Sequence, residues 1–146
     1  MKISSRRGFT LIEVLLVVVI IAILAGIVII AVNPARQIAQ TNNAQRNSDI
    51  VAILDAVHQY AVDHRGALPT NITGTAAELS STATDVCVDL VPTYLSALPF
   101  DPTATGAAYT DCDTYATGYT IMKDANNRVT VAAPGAELSA TISVSR

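Results

Sequence analysis

The chain has 146 residues, enough for one domain of ordinary size and no more. It is 51% hydrophobic but only 5% aromatic, without Trp, and its formal charge is -3. Three of its nine Lys+Arg fall in residues 1–8, leaving six against twelve Asp+Glu in the remainder, and a body that acidic argues against a general nucleic-acid surface.

The N-terminal stretch carries Lys2, Arg6 and Arg7 and no acid. Glu13 then stands at the head of an apolar run, and Val14 to Val32 contains no charge at all. Such a charge in lipid costs roughly 2.5–3.5 kcal/mol on insertion scales, so this carboxylate calls for a partner. A secretory signal peptide fits poorly. The apolar stretch is too long, has an acid near its start, and Ala31-Val32-Asn33 is a poor cleavage site. A membrane anchor fits better, because Val14–Val32 approaches the ~20 residues that span a bilayer. The basic residues ahead of it predict a cytoplasmic N-terminus and an exported body. Neither reading gives Glu13 a role.

Asn33-Pro34 closes the apolar run, and Gly26 to Pro34 is the zone where a kink is expected. From Ala35 to His64 the pattern becomes amphipathic, with Ile50, Ile53, Leu54, Val57, Tyr60 and Ala61 on one face. Arg46, Asp49, Asp55 and Asp63 are assigned to the other faces. Gly66 is expected as a left-handed helix end, with Leu68-Pro69 preventing resumption. A helix from Phe9 to His64 would be about 80 Å long. No domain of this size could bury it, so lipid or other copies must cover its first half.

Residues 70–84 read as a loop with a short helix near Ala76–Leu79. Tyr115–Lys123 alternates as a strand, Asp124-Ala125-Asn126-Asn127 is a turn, and Arg128–Ala132 is a second strand. Pro134-Gly135 breaks it, and Ala140–Val144 is a third. Tyr119, Ile121, Val129 and Val131 are expected to pack on Ile50, Ile53, Leu54 and Val57. Cys87 and Cys112 pair if this half is exported; the alternative is two buried thiols.

No catalytic signature is present: no P-loop, G-x-S-x-G, H-E-x-x-H or paired C-x-x-C. His58 and His64, six apart, point to different sides of a helix and make a poor metal pair. Asp101, Asp111, Asp113 and Asp124 offer hard oxygens of the kind that binds calcium, at a spacing that matches no EF-hand. Asn71-Ile72-Thr73 is a formal glycosylation sequon. The expectation is a chain with neither an enzymatic activity nor a cofactor.

The segment Arg7-Gly8-Phe9-Thr10-Leu11-Ile12-Glu13 before an apolar helix closely resembles the prepilin leader and cleavage site of type IV pilins and type II secretion pseudopilins. The similarity continues, more weakly, through Tyr60…Asp63…Gly66…Leu68-Pro69 and through Leu98-Pro99-Phe100-Asp101-Pro102, where a short helix in Cys87–Leu98 would end. It implies a cut between Gly8 and Phe9, N-methylation of Phe9, and retention of the apolar helix. It also implies that Glu13 neutralises the new Phe9 ammonium of a neighbouring subunit, a register device rather than a source of stability. The alternatives are a pair within one chain, or a carboxylate resting near the positive helix end.

The implied fold is α+β, a type IV pilin fold in which a long N-terminal helix, transmembrane in its first half, packs on a small antiparallel sheet. The parts are a leader (1–8), a membrane and filament-core helix (9–34), an amphipathic half (35–66) and a globular head (67–146). The implied function is a pilus subunit that polymerises with itself, the alternatives being a major pseudopilin or, in another class, a membrane-anchored exported binding module. The implied partners are a prepilin peptidase and methylase, an assembly platform with its ATPase, and the inner membrane before assembly. The assembled product is expected as a filament at the cell surface.

Overall fold

A computed structural model describes residues 8–146, which fall into two compact units divided between Gln37 and Ile38. Most of the expected leader lies outside the described residues. In the first unit, helix α1 spans Leu11–Val32. Thr10 is its N-cap, with extended backbone (φ -82, ψ 151) and a side chain that accepts a hydrogen bond from the Glu13 amide at 3.3 Å. Every residue from 11 to 31 is exposed, as its apolar all-round sequence requires of a helix without lipid or neighbours.

The helix does not run unbroken to His64. It passes through Gly26 without interruption and stops at Val32, because Asn33 adopts a left-handed conformation (φ 45). The Asn33 side chain and carbonyl both accept from the Arg36 amide, at 3.3 and 3.1 Å, so the same residue opens α2, Pro34–Asp63. Pro34 is then the first residue of a helix, where a missing N–H leaves no bond unmade. The expected kink is instead a stop and a restart.

In the second unit, α2 buries Ile50, Ile53, Leu54, Ala56 and Val57. It ends where expected. Arg65 and Gly66 have positive φ (59 and 90), and the Gly66 amide returns to the Ala61 carbonyl at 2.7 Å.

Five antiparallel strands follow: β1 Ala77–Ser80, β2 Ala108–Tyr109, β3 Tyr115–Lys123, β4 Val129–Ala133 and β5 Ile142–Ser145. The sheet order is β1-β3-β4-β5, with β2 pairing the start of β3. The last three strands match the expected ones to within two residues at each end. The short helix expected near Ala76–Leu79 is β1 instead. An isolated helical turn is marginal, whereas pairing with β3 satisfies this backbone. Helix α3, Cys87–Leu90, is a single turn rather than a longer element toward Leu98. Val91 precedes Pro92 and is extended (φ -105, ψ 135), as residues before proline usually are.

The core is the expected one. Tyr119, Ile121, Val129 and Val131 are buried with Ile50, Ile53, Leu54 and Val57, and Ile72, Leu79, Val86, Leu90 and Leu98 close it. Cys87 and Cys112 form a disulfide across 25 residues of sequence, tying α3 to the turn before β3. Closing that loop contributes about 3–4 kcal/mol in the chain-entropy model. A Cys87→Ser, Cys112→Ser double variant is therefore expected to unfold earlier by that margin in urea titration. An unchanged midpoint would assign the bond no role in head stability.

One irregularity positions a loop. Glu78 pairs with Thr120 but Ser80 pairs with Ala116, so β3 carries extra residues in a bulge at Gly118 (φ 74). A Cβ there would lie 3.0 Å from the Ala104 Cβ and 3.1 Å from the Asp101 Cβ. The bulge thus lets the loop after Phe100 press against the sheet, and the Asp101 amide donates to the Thr117 carbonyl at 2.8 Å.

Candidate processing and assembly surface

Gly8, Phe9 and Thr10 precede α1 and are exposed, so Phe9 is not on the helix in the uncut chain. This corrects the expectation of a helix that begins at Phe9. The reason is local: the Thr10 hydroxyl caps the helix one residue later. Thr10-Leu11-Ile12-Glu13 is a capping-box sequence, and Glu13 sits in the first turn, where the helix dipole favours a carboxylate. Phe9, Glu13, Val14, Val17 and Val18 nevertheless border one shallow groove.

The second unit contains an ionic centre that the sequence reading missed. Arg46, assigned to an exposed face, is completely buried. Its Nε and Nη2 donate to Asp101 Oδ2 and Oδ1 at 2.7 and 2.9 Å. Its Nη1 donates to Asn43 Oδ1 and Glu137 Oε2, both at 2.9 Å, and Nη2 also donates to Thr103 Oγ1. All five guanidinium donors are engaged. Asp101, equally buried, also accepts from the Thr103 and Ala104 amides at 2.8 and 3.0 Å. Burial opposes its ionisation, but the bond from Arg46 and those two amides outweigh that cost and hold its pKa below the usual carboxylate range. Asn42 and Asn43 bind Glu137 as well, so one turn of α2 clamps both the Asp101 loop and the loop between β4 and β5.

The four aspartates proposed as calcium ligands are not brought together. Asp101 is consumed by Arg46. Asp111 caps its own turn through the Asp113 and Thr114 amides, and Asp124 caps the β3–β4 turn through Asn126 and Arg128. Among the described residues, no three His, Cys, Asp or Glu side chains form a metal-sized group. His58 borders a surface hollow with Asp55, Asp63 and Tyr94, while His64 stacks on Tyr60 at 3.8 Å between ring centres. The sequon residue Asn71 donates to the Asp85 carbonyl at 2.6 Å, and Ile72 beside it is in the core.

A second, partly buried polar pair links helix and sheet. The Tyr119 hydroxyl donates to Asp49 Oδ2 at 2.7 Å. Burial, and then the bond to Asp49, push the Tyr119 phenol well above its usual pKa; burial, and then the bond to Asp85, do the same for Tyr115. A raised folded-state pKa adds stability that is intact below the unfolded value of about 10 and is lost as pH rises through the folded one. The head is expected to unfold above about pH 10, with phenolate absorbance and loss of circular dichroism appearing together. Ionisation of both tyrosines without unfolding would contradict this.

Comparison with known proteins places these features. Residues 3–29 match the prokaryotic N-terminal methylation motif. The chain is 33% identical over 107 residues to the type II secretion system core protein G of Klebsiella michiganensis, covering 70% of this chain and 71% of that protein. It is 37% identical over 68 residues to the protein of the same name from Escherichia coli, covering 47% of this chain and 46% of the other. No solved structure matches significantly. A methylation motif ahead of a fully exposed apolar helix, an α+β head, and a relative aligned over most of both chains lead to one assignment: the chain belongs to the type IV pilin and type II secretion pseudopilin family.

Proposed function

We propose that the chain is a structural, non-catalytic subunit of a type II secretion pseudopilus. It is made with a leader of residues 1–8 and held in the inner membrane by α1. It is then cut between Gly8 and Phe9, methylated on Phe9, and polymerised through α1. The observation that carries this reading is α1 itself. It has 21 residues long and apolar enough to cross a membrane, none of them buried, and its only charge is Glu13. Burial of such a helix requires lipid first and sister helices afterwards. Pairing of Glu13 with the Phe9 ammonium of a neighbour would penalise every register that leaves either charge alone. Both named relatives are secretion-system proteins, which favours a pseudopilus over a pilus, the other reading of the motif.

Mass spectrometry of the mature chain tests the first step. A methylated Phe9 N-terminus is expected, and an intact Met1 or a cut near Ala31 would overturn the reading. Deletion of the gene then separates the two filaments. Loss of an exported protein from the medium is expected for a pseudopilin, while loss of long surface filaments with secretion intact would assign the chain to a pilus.

A further inference from the structure

The first carbonyl used by α1 is that of Thr10, which accepts from the Glu13 and Val14 amides at 3.1 and 3.3 Å. Among the described residues, no hydrogen bond reaches the carbonyl of Gly8 or of Phe9. Phe9 is 82% exposed. The Gly8–Phe9 peptide therefore lies just outside the helix, and Thr10 is the residue that keeps it there. The Thr10 hydroxyl is a second acceptor for the Glu13 amide beside the Thr10 carbonyl; an aliphatic side chain at position 10 removes that second acceptor, weakens the cap and moves the favoured helix start toward the leader.

Gly8 supplies an independent observation. Its φ lies outside the left-handed region, and an added Cβ would meet nothing within 4 Å. Nothing described in this chain's fold requires glycine at position 8. A backbone position stripped of its side chain, exposed and unconstrained, is shaped for close approach by another molecule.

We propose that Thr10 is a positioning residue for leader removal: by ending α1 at its own carbonyl it holds the Gly8–Phe9 peptide outside the helix and open to the peptidase that approaches at Gly8. The inference rests on the cleavage reading above. Proteolysis acts on opened backbone, so its rate follows the population in which the scissile peptide is free of the helix.

The test is a cleavage time course on the full chain in detergent micelles with a purified prepilin peptidase. Thr10 is replaced in turn by Ser, Asp, Asn, Gly, Ala and Val. Rates are expected to follow capping strength, with Ser, Asp and Asn near the parent, Gly slightly below, and Ala and Val about five-fold slower. Amide hydrogen exchange at Phe9 is expected to slow in Thr10→Val, a readout that needs no peptidase. Two results would overturn the proposal: equal rates throughout, or a shape-based order in which Val matches the parent while Asp, Asn and Gly are slow. A parent chain left uncut at Gly8–Phe9 would instead refute the cleavage reading and remove the basis for this one.

Discussion

Replacement of Arg46 by Met is expected to destabilise the head by about 3–5 kcal/mol, because Asp101 is left as a buried, uncompensated carboxylate. Asp101→Asn is expected to cost a comparable amount by stranding the guanidinium. Both residues have completely buried side chains, so solvent cannot take over from the missing partner. Glu137→Gln should cost much less, since that carboxylate is one-third exposed. Urea unfolding of the two single variants and the Arg46→Met, Asp101→Leu double variant gives the coupling. The double variant is expected to recover much of the loss. Additive losses would mean that the two side chains act separately.

The same pair sets the acid limit. Asp101 has a lowered pKa in the folded state, so its contribution is fully present above the unfolded value of about 3.9 and is lost as pH falls through the folded one. Asp49 acts in the opposite sense. Burial raises its pKa, so its protonation favours the folded state as pH drops toward that range. The parent head is therefore expected to lose stability chiefly below about pH 4, and the Arg46→Met variant to lose that dependence.

Substitution of Glu13 by Gln is expected to leave insertion of α1 intact and to reduce filament yield on the order of ten-fold or more. The cost of stranding a buried ammonium is several kcal/mol, and each 1.4 kcal/mol is a factor of ten. The isosteric amide retains the helix and the apolar run and removes only the charge. Sheared filaments quantified against membrane-bound precursor would measure the effect. Normal yield from Glu13→Gln would sink the pairing role and leave Glu13 as a first-turn residue favoured by the helix dipole.

These two predictions differ in how readable their residues were. Glu13 stands out in sequence because one charge in an apolar span has no local explanation, and the motif around it supplies one. Arg46 does not stand out. Between Asn43 and Asn47, in a polar stretch of α2, it has the pattern of a solvated residue, and its partners lie 55 and 91 residues away. Its burial depends on the bulge at Gly118 that brings Asp101 inward, and bulges leave only a faint mark on period-two alternation. One local signal was available: Asp101 lies in the Leu98–Pro102 turn, where a carboxylate is suited to cap amides rather than to wait for a metal.

The errors in element type have the same origin. Ala77–Ser80 is a strand because β3 offers it a ladder, and residue preferences alone cannot register that offer. The break at Asn33 is legible in the sequence, but its kind is not. By composition Pro34 reads as a disturbance inside one helix, whereas the left-handed Asn33 makes it the start of another.

What the sequence determined by itself was whatever depends on local period and composition. That includes the apolar helix, the amphipathic face from Ile50 to Val57, the exit at Gly66, the alternation of β3 and β4, and the processing motif. Only the tertiary structure decided what depends on partners distant in the chain: the Arg46–Asp101–Glu137 centre, the Asp49–Tyr119 bond, the pairing of β1, and the separation of the four aspartates. A side chain's burial and charge state are set by neighbours that the fold brings close, and over 55 to 91 residues of separation no local periodicity encodes them.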